Sequence, residues 1–291
     1  MKPAPFKYFA ATSLEQALAL KAQHGDAARF LAGGQSLIPA MNFRLARPAI
    51  LIDINGIEAL CGVRTAGATT RIGALTRYRA LQRDAAFAGL FPLIGEALPL
   101  IAHPQIRNRG TIGGNLSHAD PASELPAIAV ALRAVFHVQS AKRTRSIAAA
   151  DFFVSALTTA LEPDEMLTEI ELPLQSPRTG ACFMEVARRR GDFAIVGVAA
   201  QMTLDGQEAC CDIRLAFCGI DEAPVDASPA VSMLIGQSPT EKTFREVAAS
   251  VQTLIEPAGS VHATADYQRH VAGVLTERAL RTAHQRVRNG R

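Results

Sequence analysis

Two short stretches carry residue types able to grip an anion: Leu31-Ala32-Gly33-Gly34-Gln35-Ser36 and, about 80 residues later, Thr111-Ile112-Gly113-Gly114-Asn115. Each sets paired glycines beside hydroxyl or amide side chains. Without a Cβ, glycine lets the backbone take positive φ and lets a ligand come close. Amides freed in such turns form concave anion sites. Ser36, Thr111 and Asn115 add short, stiff donors. Two such turns point to a long polyanion, such as a dinucleotide diphosphate, held from two sides. Neither turn reads G-x-G-x-x-G or G-x-x-x-x-G-K-[ST], so the commonest nucleotide fingerprints are absent.

No signature of substrate chemistry accompanies them. The histidines are scattered and none forms H-E-x-x-H; G-x-S-x-G is missing, and no Ser–His–Asp set stands out. The cysteines, Cys61, Cys182, Cys210, Cys211 and Cys218, are odd in number and lack C-x-x-C. That argues against an iron–sulfur or zinc site in this chain and for packed thiols in a reducing compartment. Cys210 and Cys211 on one strand would face opposite ways.

The elements that must position these turns follow from periodicity and punctuation. Phe6 to Phe9 reads as a strand; Ser13, with Gln16 as capping box, opens a helix that Gly25 ends. Arg29 to Ala32 and Ala49 to Asp53 are the next strands, so the first glycine turn sits at a strand end of a β-α-β unit, where open α/β sheets hold ligands. Short strands are expected at Ile57 to Val63 and Thr70 to Ala74 around a Gly67 turn, and helices at Thr76 to Gln82 and Phe91 to Leu100, which Pro104 breaks. A helix at Ala122 to Leu132 leads to strands at Ala134 to Gln139, Arg143 to Ile147 and Leu167 to Leu172. After Gln175 to Gly180, the best linker, come strands at Ala181 to Ala187, Ile195 to Leu204 and Cys211 to Phe217, with an Asp205-Gly206 turn. Ser238-Pro239-Thr240-Glu241 reads as cap, N1 proline and capping-box acid of one helix; Thr264 to Arg288 is the last.

Composition bounds the rest. With 291 residues, 48% hydrophobic and 20% charged, the chain has the balance of a globular protein with a real core. Its net charge of +3 and lack of a basic aromatic stripe give no sign of nucleic acid. The opening Met1-Lys2-Pro3-Ala4-Pro5-Phe6 has no apolar secretory region and no run approaches membrane-spanning length, so a cytoplasmic location is expected.

Ala32 to Pro39, Leu51-Ile52-Asp53-Ile54, and the long run from His103 through Thr111-Ile112-Gly113-Gly114-Asn115 to Pro126 closely resemble the FAD-binding medium subunit of the molybdenum hydroxylases, the carbon monoxide and xanthine dehydrogenase relatives. The resemblance extends from about Phe6 to the last helix. It implies an α+β chain with a PCMH-type FAD-binding domain at 1–175 (a small β-α-β subdomain to about 56, then a mixed α/β subdomain). Residues 176–291 would form a C-terminal domain of three antiparallel strands with helices. It implies FAD contacts from Leu31, Ala32, Gly33, Gly34, Gln35, Ser36 and Leu37 in the first turn, and from Gly110, Thr111, Gly114, Asn115, Ser117 and His118 around the second. Leu167, the Glu124 carboxylate on cofactor hydroxyls, and Phe193, where relatives often stack a tyrosine near the flavin, complete the set.

Arg107 and Arg109 would support the diphosphate or the turn, Asp120 reads as a helix cap, and Asp192 could pair with an arginine of Arg188-Arg189-Arg190. Some relatives meet the flavin with a lysine in the preceding strand; Cys182-Phe183-Met184-Glu185 has none. The basic C-terminal helix, with Arg278, Arg281, Arg286, Arg288 and Arg291, reads as a solvated helix end.

The family's partners would be a large subunit with the molybdenum cofactor, which oxidises the substrate, and a small subunit with two [2Fe–2S] clusters, arranged as a dimer of heterotrimers. The complex could reach the inner face of the membrane. Two other readings fit the same residues: a self-sufficient FAD oxidoreductase and a non-catalytic nucleotide-binding module. Substrate and final electron acceptor are not encoded in this chain's motifs.

Overall fold

The computed structural model describes residues Lys2 to Asn289. The first unit is a parallel three-stranded sheet in which Ile50–Asp53 lies between Lys7–Ala10 and Ala28–Leu31. The helix Leu14–His24 makes the crossover. Ser13 Oγ accepts from the Gln16 amide at 3.2 Å, whereas Gln16 Oε1 takes the Thr12 amide at 2.8 Å, one residue outside a strict capping box. Gly25, at φ 52°, stops the helix. The buried Lys21 ammonium donates to the Gly25 and Ala28 carbonyls, both at 2.8 Å, and so ties the helix end to the strand that carries the first glycine turn.

The second unit is an antiparallel sheet in the order Val63–Ala66, Thr69–Gly73, Met166–Pro173, Val135–Gln139, Thr144–Ala148. The expected strand before Val63 is a 3-10 turn, Glu58–Leu60, because that segment caps the first unit and makes no ladder. Six short helices fill the middle of the chain: Tyr78–Arg83, Ala85–Leu90, Pro92–Ala97, Pro104–Arg109, Ile112–His118 and Glu124–Ala131. Three depart from expectation. Ala85–Leu90 has its own cap, Asp84 Oδ1 accepting from the Phe87 amide at 2.9 Å. Pro104 starts a helix, since a first-turn proline has no amide to waste. The second glycine stretch is itself helical. Phe136, Phe152 and Phe153 pack edge to face, with centroids 4.5 to 5.9 Å apart, in the core beneath this sheet. Truncating such a buried phenylalanine costs about 3–5 kcal/mol.

In the C-terminal part, Thr179–Ala187, Ala194–Leu204 and Cys210–Cys218 form the three expected antiparallel strands, and the two-residue strand Val225–Asp226 adds a fourth. Cys210 is buried and Cys211 exposed, as alternation requires. The turn at Asp205 runs to Ala209, with Asp205 Oδ1 accepting two amides and Glu208 at φ 64°, so it is longer than an Asp-Gly hairpin. Helices Glu241–Leu254 and Ala265–Arg288 cover one face through Phe244, Val247, Val251, Leu275 and Leu280. Thr240, with Thr243, caps the first of them in place of Ser238.

The other face packs on the helices Pro92–Ala97 and Glu124–Ala131, so one core spans both halves of the chain. Polar ties cross the seam: the Phe183 amide to Glu96 Oε2 and the Gly219 amide to the Pro121 carbonyl, each 2.8 Å. On the last helix Arg281 pairs with Glu241 and Glu277, Arg286 with Glu96, and Arg288 with Glu208, so that end is more internally braced than a solvated terminus; Arg291 lies outside the described residues. Among the described residues no helix is long and apolar enough to cross a membrane.

Candidate functional site

The first turn leaves the strand Ala28–Leu31 and enters the helix Leu37–Asn42. Gly34 sits at φ 71°, and Gln35 Nε2 donates to the Gly33 carbonyl at 2.8 Å, bracing the bend. The amides of Gly33, Gly34, Gln35 and Ser36 find no acceptor among the described residues, and the Ser36 hydroxyl makes no cap bond. Four amides and a hydroxyl are therefore presented to whatever fills the cleft.

The second turn is a helix start. Thr111 is the cap of Ile112–His118, its Oγ1 accepting from the Gly114 amide at 3.1 Å. Gly113 is there for packing: a Cβ would lie 2.4 Å from Ala74 Cβ and 2.7 Å from its carbonyl oxygen, and the Gly113 amide donates to that oxygen at 2.9 Å. Helix and strand thus meet backbone to backbone. Asn115 trades hydrogen bonds with Ser123 at 2.7 and 2.9 Å, which joins this helix to the next.

The two turns touch. A Cβ on Gly33 would stand 2.4 Å from the Arg109 carbonyl oxygen and 2.9 Å from Gly110 Cα. Residues that sequence reasoning missed hold this contact. Asn55 Nδ2 donates to the Ala32 carbonyl at 2.9 Å and to Asp53 Oδ1 at 2.6 Å. The Arg77 guanidinium then bridges Asn55 Oδ1 to the Arg109 carbonyl. Asp53 also accepts from the Tyr8 hydroxyl at 2.5 Å. Burial alone would raise the Asp53 pKa, but the Tyr8 and Asn55 hydrogen bonds outweigh it and hold the carboxyl below its usual range. Only the Asp53–Asn55 spacing was a visible local signal, an Asx turn. Arg107, expected to support the turn, does so from behind, donating to the Ile101 and Ala102 carbonyls at 2.9 and 2.8 Å.

Between the turns runs a cleft of about 500 Å³. Leu31 to Leu37 line one side; Gly110, Thr111, Gly114, Asn115, Ser117 and His118 line another; Met166 and Leu167 come from the central strand of the second sheet. Phe193, 65% exposed, reaches the cleft from the C-terminal half. Its loop is fixed by the Asp192 amide donating to the Arg189 carbonyl at 3.1 Å; among the described residues Asp192 makes no ion pair, so the arginine partner expected for it is not there. Tyr78, unforeseen, is buried against the cleft, and burial with the nearby Glu124 charge pushes its phenol up. Asp120 accepts from the Ala122 amide at 2.9 Å, a turn next to Ser123, which is the true cap position.

Glu124, expected to meet cofactor hydroxyls, is 4% exposed and lies behind the cleft lining, where its charge acts on Tyr78. It starts the helix Glu124–Ala131 and faces the seam. Across that seam Glu185, Gly197 and Cys218 stand opposite one another on adjacent strands and so share one face of the sheet. Glu185 Oε2 is buried with no partner among the described residues. Burial, then the charges of Glu185 and Asp120, push Glu124 up to about 8, and burial pushes Glu185 up to about 7. The Cys218 thiol is held protonated by burial and by both acids.

The residues present fit a dinucleotide. Backbone atoms less than 3 Å from absent Cβ positions leave room for nothing larger than glycine at Gly33, and the free amides of the first turn suit a diphosphate. An apolar floor and an exposed aromatic, Phe193, suit a flat ring system.

Comparison with known proteins agrees with this geometry. Residues 4–175 match the family model described as the FAD binding domain in molybdopterin dehydrogenase, and residues 181–283 match the CO dehydrogenase flavoprotein C-terminal domain. The chain is 40% identical to the 6-hydroxypseudooxynicotine dehydrogenase complex subunit alpha of Paenarthrobacter nicotinovorans, over 99% of this chain and 97% of that protein. It is 39% identical to the caffeine dehydrogenase subunit beta of Pseudomonas sp. strain CBB1, again over 99% and 97%. Among solved structures, carbon monoxide dehydrogenase from Hydrogenophaga pseudoflava superimposes with a TM-score of 0.95 at 37% identity, covering 98% of this chain and 99% of that one.

Proposed function

This chain belongs to the family of FAD-binding medium subunits of the molybdenum hydroxylases, and from that premise we propose that it is the flavin outlet of a heteromeric dehydrogenase. Its partners are a large subunit carrying the molybdenum cofactor and a small subunit carrying two [2Fe–2S] clusters. We take the assembly to be a dimer of heterotrimers in the cytoplasm. The observation that carries the reading is the contact between the two glycine turns, which makes a single cleft with unpaired amides along one wall.

FAD, when bound, can accept electrons singly and release them as a pair, which is what a relay from one-electron clusters requires. The rest of the work belongs to this chain's own residues. The amides of Gly33 to Ser36 bind the diphosphate. Thr111, with its hydroxyl fixed on the Gly114 amide, and Asn115, fixed on Ser123, orient the ribityl side. The Asn55–Arg77 bridge keeps the two turns in register. Met166 and Leu167 would exclude water from the floor, and Phe193 would shield the flavin where the cleft opens. Relatives named for 6-hydroxypseudooxynicotine, caffeine and carbon monoxide are 40%, 39% and 37% identical to the chain, which supports a substrate choice made outside it.

We divide the chain into a cofactor domain, 1–175, with subdomains meeting near residue 56, and a C-terminal domain, 176–291. The end of the parallel sheet at Asp53 and the step from Met166–Pro173 to Thr179–Ala187 support those limits. Purification from native cells followed by flavin and metal analysis tests the function. One FAD per copy of this chain, with iron and molybdenum carried by co-purifying subunits, is expected; a lone, colourless chain would refute it.

A further inference from the structure

Three separate segments that give Tyr78, Ile106 and Phe193 to the cleft also carry arginines. Arg79 is exposed on the helix Tyr78–Arg83, Arg107 lies on Pro104–Arg109, and Arg188, Arg189 and Arg190 are exposed on the loop that leads to Phe193. The segments are in contact. Gly191, at φ +88°, lies so close to the Ala102 carbonyl oxygen that a Cβ would be 2.8 Å from it, and 3.0 Å from His103 Nδ1. Arg107 donates to that same Ala102 carbonyl at 2.8 Å and to Gln82 Oε1 at 3.3 Å. None of the five arginines has a carboxylate partner among the described residues; Arg188 Nη1 lies 3.5 Å from His262 Nδ1. The Arg107 pKa is lowered by burial and then by the charges of Arg190 and Arg79, which places the like charges within reach of one another.

An uncompensated cluster of like charge costs stability and persists where an anionic partner offsets it. These guanidinium groups belong to five side chains. They spread over three segments around an exposed phenylalanine. Arginine around an aromatic anchor is the composition of a protein-binding face, and guanidinium forks match carboxylates. We propose that the arginine-ringed mouth around Phe193 docks an acidic one-electron carrier protein, the acceptor of the assembled complex. This rests on the function proposed above. Two carrier molecules, each reduced by one electron, dock in turn per substrate oxidised; the two electrons leave through the flavin and its two protons go to solvent.

The test uses the purified complex with an oxidisable substrate and three acceptors: an acidic bacterial cytochrome c, ferricyanide and uncharged menadione. Arg189→Glu/Arg190→Glu is compared with wild type and with Lys242→Glu, a remote exposed charge reversal. In wild type, cytochrome reduction should slow as salt rises from about 20 to about 200 mM, while menadione reduction should not. In the double variant, kcat/KM for the cytochrome should fall about tenfold or more and lose its salt dependence, with menadione rates, FAD content and subunit ratio unchanged. An unchanged cytochrome rate, or equal loss with menadione, overturns the proposal. Loss with ferricyanide alone would make this a small-anion site, and release of a partner subunit would make it an inter-subunit face; either result also overturns it. A wild-type complex without FAD would instead refute the underlying function.

Discussion

Gly33 and Gly110 lie backbone against backbone: a Cβ added to Gly33 would stand 2.9 Å from Gly110 Cα and 2.4 Å from the carbonyl oxygen of Arg109. Neither neighbour is the end of a flexible side chain, so no rotamer change relieves the clash. Overpacking of this kind costs about 1–3 kcal/mol, and here it would part the two turns. Gly33→Ala should weaken FAD binding about tenfold or more, measured by titration of the apoprotein, with the far-UV circular dichroism unchanged. Wild-type affinity in that variant would show that the contact does not hold the cleft.

The Arg77 guanidinium couples the two halves of the clasp through Asn55 and Arg109. Hydrogen bonds to charged groups contribute roughly 1.5–3 kcal/mol. Arg77→Met should lower both thermal stability and FAD affinity. Combined with Asn55→Ala the losses should fall well short of additive, because each change breaks the same bridge. Additive losses in a double-mutant cycle would dissolve the proposed relay.

Burial at the domain seam pushes the Glu124 carboxyl up to about 8, with the Glu185 and Asp120 charges adding to it, and the Glu185 carboxyl up to about 7. Both folded-state values lie above the ordinary carboxylate range, so the folded chain binds protons that the unfolded chain gives up. The resulting stabilisation is fully present below about pH 4.5 and is lost as pH rises through 7 and 8, on the order of a few kcal/mol. The melting temperature of the chain should therefore fall between pH 6 and pH 8.5 (roughly the span of the two titrations). Glu185→Gln should flatten that fall and raise stability at the alkaline end. A wild-type profile that is flat, or that rises, would remove the pair as a proton site.

Phe193 is 65% exposed, so its removal touches little of the core. Phe193→Ala should change stability by no more than about 0.5 kcal/mol. It should still alter the flavin's visible absorbance and fluorescence, since an aromatic neighbour is lost. An unaltered flavin spectrum would mean that this side chain stays off the ring.

The sequence made some of this legible and hid the rest for physical reasons. Ser13, Gly25 and Thr264 are local punctuation, and the elements they bound stand where they were expected. The glycine pair at 113–114 misled, because glycine's poor helix propensity reads as a turn, while the close approach to Ala74 that demands Gly113 is tertiary. Pro104 is ambiguous in the same way: it breaks one helix and begins another. In the cleft, the residues flanking both turns were readable from their types. Asn55, Arg77 and Tyr78 were not, since each acts on a partner distant in sequence. Glu124 has the right chemistry for a polyol, but it is buried behind the cleft lining, where its charge acts on Tyr78 and Cys218, and no local pattern encodes that burial.

The flavin content of this chain, wild type against Gly33→Val, tests the central claim most directly. Absorbance of the protein after saturation with FAD and removal of the excess should give one flavin per wild-type chain and essentially none for the variant, both being folded. A variant that keeps its flavin, or a folded wild-type chain that takes up none, would contradict a cofactor held between the two glycine turns.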